Sequence, residues 1–155
     1  MEAKNEILLT AAKEYRDKYG WSVIPVIITH NISSNKYEKK PAIVWKQYME
    51  RVASDEEMSG WFSDVRVNGI GVVTGKLSGL TVLDWDSRDQ CPYSSSLEVQ
   101  TISGGKHFYY AYSDGVRNTV RVGDKPLDVR GDGGFVVVPP TTINNESYGW
   151  IKRSD

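Results

Sequence analysis

Apolar residues recur at helical spacing over the first twenty positions. Leu8, Ala11, Ala12, Tyr15 and Tyr19 fall on one stripe, and Gly20 follows as a stop, so the pattern predicts an amphipathic helix over 2–19. The run 21–27 (WSVIPVI) is continuous and rich in β-branched residues, which predicts a strand. Residues 29–41 are polar, basic and turn-rich, and read as a loop. Ser54 followed three positions later by Glu57 is a capping-box pair, opening a short helix that carries Met58, Trp61 and Phe62. The rest of the chain reads as strands at 69–73, 79–85, 98–102, 107–112, 126–130 and 134–138, punctuated by Gly, Ser, Asp and Pro. Helix and strand followed by a sheet of mixed strands is an α+β pattern, with no internal repeat or linker, so 1–155 is expected to form a single domain.

Composition narrows this little. The 155 residues are 39 % apolar and 25 % charged, as in an ordinary domain that buries its own core. A single cysteine, Cys91, excludes a disulfide framework, and with only His30 and His107 beside it no zinc site is expected. The N-terminus lacks a signal peptide's basic and apolar regions and no run reaches membrane-spanning length, so an intracellular protein with no membrane partner is expected. The sequons at Asn31 and Asn145 carry no weight in that setting.

A formal net charge of −1 counts against a nucleic-acid binder, but the charges are unevenly spread. Residues 31–51 hold five bases against two acids, and 104–130 hold five against three, while acids gather in 55–64 and 84–98. Such a surface suits a protein that holds cations beside a polyanion, although an ordinary mixed surface looks the same by charge alone.

Three segments carry candidate chemistry. In 79–86 an apolar strand runs into Asp84 and Asp86. Residues i and i+2 of a strand share a face about 7 Å apart, and their hard oxygen ligands suit Mg²⁺ or Mn²⁺. A solvated Asp-rich turn is the plain alternative; an EF-hand is excluded, because Asp89 stands where its glycine is required. In Thr101-Ile102-Ser103-Gly104-Gly105-Lys106-His107, paired glycines allow backbone N–H groups to meet an anion, with a simple hairpin turn as the alternative. In Leu127-Asp128-Val129-Arg130, an acid interrupts an apolar stretch, so it needs a metal or a base such as Arg130 to offset its desolvation. The tripeptide Arg130-Gly131-Asp132 matches a cell-adhesion signal by chance. Gly75-Lys76 followed by Leu77 is not a Walker A loop.

In order and spacing these pieces resemble the prim-pol family, the bifunctional DNA primase/polymerase domain of plasmids, phages and mobile elements, within the archaeo-eukaryotic primase superfamily. The matching stretches are Lys39-Lys40-Pro41 with Trp45, then 69–75, 78–86, 101–107, Asp128 to Phe135, and Val136 to Pro140, so that roughly residues 10–150 are covered. The resemblance implies an N-terminal αβ unit packed on an RNA-recognition-like mixed β-sheet, with the active site in the cleft between them. It implies that Asp84, Asp86 and Asp128 are catalytic and hold two Mg²⁺ or Mn²⁺ ions. It gives nucleotide contacts to Ser103, Gly104, Gly105 and His107, with Lys40 and Arg130 as further ones.

The implied reaction is template-dependent nucleotidyl transfer from a dNTP or NTP to a 3′-hydroxyl, one ion activating the hydroxyl and the other stabilising the leaving pyrophosphate. A DNA template and primer are the implied partners, with a helicase or helical priming domain elsewhere in a longer replication protein. Because the chain ends at Ser154-Asp155 without that helical domain, the expectation is extension in preference to de novo priming. A non-catalytic nucleic-acid-binding module with an RNA-recognition-like sheet is the rival reading, and a metal-dependent nuclease or nucleotide phosphohydrolase is another.

Overall fold

The structure, a computed structural model, describes residues 1–153. Helix α1 (Ala3–Tyr19) ends where Gly20 adopts the left-handed conformation and its N–H returns to the Arg16 carbonyl at 3.1 Å. Helix α2 (Asp55–Ser63) starts at the expected capping box: Ser54 accepts from the Glu57 N–H, and Glu57 accepts from the Ser54 N–H. The helices are tied together by the buried Asn5 side chain, whose amide donates to the Phe62 carbonyl at 2.9 Å.

Two sheets hold nine of the eleven strands among the described residues. In the first, β1 (Val23–Asn31), β2 (Lys36–Pro41), β3 (Gly69–Val73) and β8 (Phe135–Val138) lie in the order β2-β1-β3-β8. The second contains β4 (Leu80–Trp85), β5 (Leu97–Gln100), β6 (Lys106–Ala111), β7 (Leu127–Arg130) and β11 (Gly149–Lys152) in the order β11-β5-β6-β4-β7. A small hairpin, β9 (Thr142–Ile143) with β10 (Glu146–Ser147), precedes β11. Val23, Ile24, Val26 and all of β3 are buried, which explains why these strands read as continuous apolar runs. One core joins α1, α2 and the first sheet to the inner face of the second through Val82, Val99 and Tyr109.

The fold is α+β, but two expectations need correction. The strands of both sheets pair antiparallel rather than forming a mixed sheet; the parallel contact among the described residues is an isolated bridge between Arg117 and Asp132. The expected loop at 29–41 is a hairpin in which β2 pairs with the far half of β1. Only Tyr37 and Pro41 of β2 are even half-buried, so this edge strand has no hydrophobic period to reveal it. Strands β9 to β11 are too short or too exposed to have shown a pattern. Ser154 and Asp155, which close the expected domain, lie outside the described residues. No helix among the described residues is long and apolar enough to cross a membrane.

The chain crosses to the second sheet after β3 and returns after β7, and the two crossings clasp each other. Thr74 donates its N–H to Gly134 and its hydroxyl to Gly131. Asp132 accepts from the Tyr112 hydroxyl at 3.0 Å, and a Cβ on Gly75 would lie 2.7 Å from its Oδ1. Asp132 is thus a structural residue of this junction.

Candidate active site

On β4 the side chains alternate, so Leu80, Val82 and Asp84 share the inner face of the second sheet. The first two are buried in the core; Asp84 comes where the strand runs out from under it. Its register partners are Asp128 on β7 and His107 on β6, so these three side chains stand abreast on one face. Arg130 follows two residues after Asp128 on the same face, opposite Val82. Asp86 lies just past the strand end, exposed, with its N–H donating to the Pro126 carbonyl at 2.8 Å. The Tyr148 ring lies 6.3 Å from the His107 ring, and burial first, then the charges of Asp84, Tyr37 and Asp86, push its hydroxyl well above its ordinary pKa.

His107 is only 2 % exposed, and its Nε2 stands 3.4 Å from Asp84 Oδ1. Burial is the largest single influence on Asp84 and pushes its pKa up. The opposing pull of His107, Lys39 and Arg130 outweighs it, so the carboxyl sits below the usual range. Asp128 is engaged at both oxygens: Oδ1 accepts the Arg121 backbone N–H at 2.8 Å and Oδ2 accepts from Arg130 Nη2 at 3.1 Å. The ring Nδ1 of His107 and the hydroxyls of Tyr109 and Tyr148 are buried without a hydrogen-bond partner among the described residues. Buried polar atoms normally have one, so this face is polar beyond what its own packing satisfies.

Asp84 and His107 open on a pocket of about 370 Å³; Asp128 and Asp86 stand beside it and are not in its lining. The second sheet contributes Asp84, His107 and Arg130. Tyr37 and Lys39 of β2, Trp45 and Phe135 line the opposite side, with Trp45 and Phe135 packed edge-on at 5.6 Å. The pocket therefore has one aromatic wall and one charged wall, with cations entering from both sheets. Asn118 closes one side; it accepts the Gly131 N–H at 2.9 Å and approaches Gly134 so closely that a Cβ there would lie 2.3 Å from its Oδ1.

The remaining expected site residues lie elsewhere. Ser103, Gly104 and Gly105 form the turn between β5 and β6, and the pocket lining from this segment is His107. Both glycine N–H groups are engaged within the turn, Gly104 with the Thr101 carbonyl at 3.1 Å and Gly105 with Thr101 Oγ1 at 3.0 Å. Gly105 is required by a close approach, since a Cβ there would fall 2.3 Å from the Trp85 carbonyl oxygen. Lys40 is exposed and paired with Glu38 at 3.1 Å, whereas its neighbour Lys39 lines the pocket. Alternation from Tyr37 along β2 selects Lys39, but that signal exists only once β2 is known to be a strand. Tyr37 and Asn118 were likewise not singled out from the sequence.

Asp84 and Asp128 fit a hard divalent cation in donor chemistry and in sharing a face, and Asp86 lies just past the end of β4. As they stand, no three acidic, histidine or cysteine side chains among the described residues are gathered into a metal-holding group. A sequence model of the bifunctional DNA primase/polymerase N-terminal family matches residues 12–155, nearly the whole chain. No curated protein matches it closely enough to count as a relative.

Proposed function

The chain belongs to the family of bifunctional DNA primase/polymerase N-terminal domains, and we propose that the pocket beside Asp84 binds a nucleoside triphosphate for transfer to the 3′-hydroxyl of a DNA primer on a template. The observation that carries this reading is the alignment of Asp84 with Asp128 and His107 on one face, beside a pocket lined by Asp84, His107, Lys39 and Arg130. Acids for cations and bases for phosphates meet there in one place. In this reading the five-stranded sheet is the RNA-recognition-like platform and the pocket is the catalytic cleft.

Asp84, Asp86 and Asp128 would hold the divalent ions, Mg²⁺ or Mn²⁺. Such ions, when bound, lower the pKa of a primer hydroxyl and offset charge on the phosphates and the departing pyrophosphate. Lys39, Arg130 and His107 bind the triphosphate and hold its α-phosphorus in line with the hydroxyl, which is catalysis by positioning and electrostatics. Lys40 is a reserve contact for phosphates beyond the pocket, and the Ser103-Gly104-Gly105 turn fixes His107 in register. The aromatic wall of Tyr37, Trp45 and Phe135 suits the sugar and base. A near-zero net charge gives little long-range attraction to DNA, and a paired primer end is a better substrate than bare template because it spares the ordering of a second free nucleotide.

The test is incorporation of labelled dNTP or NTP on primed and unprimed templates, with Mg²⁺, Mn²⁺ or chelator. Metal-dependent, template-directed extension of the primer is expected, with slight dinucleotide synthesis on unprimed template. DNA retention without incorporation under either metal would leave a binding module. Nucleotide hydrolysis without primer growth would leave a phosphohydrolase.

A further inference from the structure

Asp128 is surrounded in a way that does not suit a cation ligand as it stands. One oxygen accepts the Arg121 backbone N–H, whose segment is tied to β7 on both sides, by the mutual bonds of Thr119 and Val129 and by the Val122 N–H bond to the Leu127 carbonyl at 2.7 Å. The other accepts a guanidinium N–H from Arg130 at 3.1 Å. That second bond is different in kind. It comes from a flexible side chain about 29 % exposed, standing in the wall of the pocket. A guanidinium at this distance also sets a positive charge against any divalent cation approaching Asp128.

Arg130 has a better acceptor available once the pocket fills. Guanidinium pairs with phosphate oxygens through two parallel bonds, and a polyphosphate carries more charge than one carboxylate. Lys39 reaches the same pocket from the opposite sheet, so a polyphosphate entering there lies between two cations. We propose that Arg130 is a latch: it holds Asp128 in the free protein and transfers to the nucleotide's phosphates when they arrive, releasing Asp128 to a divalent ion. The latch rests on the reading of this pocket as a nucleotide site. It makes nucleotide and cation bind cooperatively, and the coupling is necessarily reciprocal. It also keeps the acids from holding a cation unproductively before the substrate is in place.

The experiment measures Mn²⁺ affinity by the spin-resonance signal of the free ion. It compares the wild-type chain with Arg130→Gln, with and without a non-hydrolysable nucleoside triphosphate, against protein-free nucleotide controls. Circular dichroism establishes that the variant is folded. Without nucleotide, Arg130→Gln should bind Mn²⁺ about tenfold more tightly than wild type, equivalent to about 1.4 kcal/mol. With the triphosphate, Mn²⁺ affinity should rise in the wild type and change little in the variant. If Arg130→Gln fails to fold, Arg130→Lys, which keeps the charge and loses the two-pronged geometry, should tighten Mn²⁺ binding about threefold. Wild-type coupling together with unchanged or weaker Mn²⁺ binding by the folded variant overturns the latch alone. Absence of any joint binding of Mn²⁺ and triphosphate to the wild type overturns the nucleotide-site reading and the latch with it.

Discussion

The two faces of the five-stranded sheet are built from adjacent residues and do opposite work. Asp84 and Trp85, His107 and Phe108, and Asp128 and Leu127 are neighbours in the chain, and each pair sends one side chain to either face. On the outer face Trp85, Phe108 and Leu127 form a small apolar cluster, covered by Cys91, Tyr93 and Val122. Trp85 is further fixed by an indole N–H bond to the Asp89 carbonyl at 3.2 Å. On the inner face the partners of those residues are the acids and the histidine. The apolar cluster therefore sets the register that brings Asp84 level with Asp128. A one-residue slip of β7 would move Asp128 to the outer face and Leu127 to the inner one.

The sharpest way to test this division is to remove a carboxylate. The proposed role of these acids predicts that Asp84→Ala or Asp128→Ala lowers template-dependent incorporation by a factor on the order of 10³ or more, the size of effect expected when a charge-stabilising group is lost from a transition state. The sheet's far-ultraviolet circular dichroism should stay unchanged. Wild-type-like extension by both variants would remove these acids from the chemistry.

The converse substitution is Phe108→Ala. Phe108 is fully buried, so the loss of transfer energy plus the cavity should cost about 3–5 kcal/mol in denaturant unfolding. Incorporation should fall in step with the folded fraction and recover at lower temperature. If activity vanished while stability held, the outer face would have a chemical role that the comparison denies it.

The inner face was partly legible because its acids break the surrounding pattern. A carboxylate between Leu127 and Val129, or at the end of Leu80–Leu83, contradicts the apolar strand it sits in. The cost of burying Asp128 also pointed to a metal or a base such as Arg130 beside it, and Arg130 is its partner at 3.1 Å. Lys39 was not legible, because β2 is a polar edge strand whose pairing energy comes from backbone bonds that leave no mark in the side chains. Without the strand there is no alternation to separate Lys39 from Lys40. Asn118 was hidden for another reason: its place depends on Gly131 and Gly134, across a long loop, and only tertiary packing joins them. The glycine pair at 104–105 was visible, but local sequence does not say whether its N–H groups face an anion or Thr101.

A third measurement sharpens the inner face itself. His107→Ala should raise the apparent KM for nucleotide roughly ten- to a hundredfold, the worth of a charge-assisted bond of about 1.5–3 kcal/mol. Template affinity should change much less. A change confined to DNA affinity would put His107 on the wrong ligand.

The smallest effect expected is on stability, from Asp84→Asn, and its sign is informative. Clustered carboxylates suggest repulsion, so that neutralising one would stabilise the free protein. Asp84 does not behave as that picture requires. Burial raises its pKa, but His107, Lys39 and Arg130 together pull it below the ordinary carboxylate value. A group whose folded pKa is depressed contributes stability that is present above its unfolded pKa, about 3.9 for aspartate, and is lost as pH falls through the folded value. At neutral pH, Asp84→Asn should therefore be less stable than wild type, by about 1 kcal/mol or less, comparable to one ordinary hydrogen bond. The gap should close as the solution is acidified below the ordinary carboxylate range, where the wild-type carboxyl takes up its proton. Denaturant titrations of both proteins from pH 7 down through that range would read the difference directly. An Asp84→Asn variant more stable than wild type at pH 7 would mean that the acids of this face repel one another more strongly than its cations hold them, and the inner face would then be strained in the free protein.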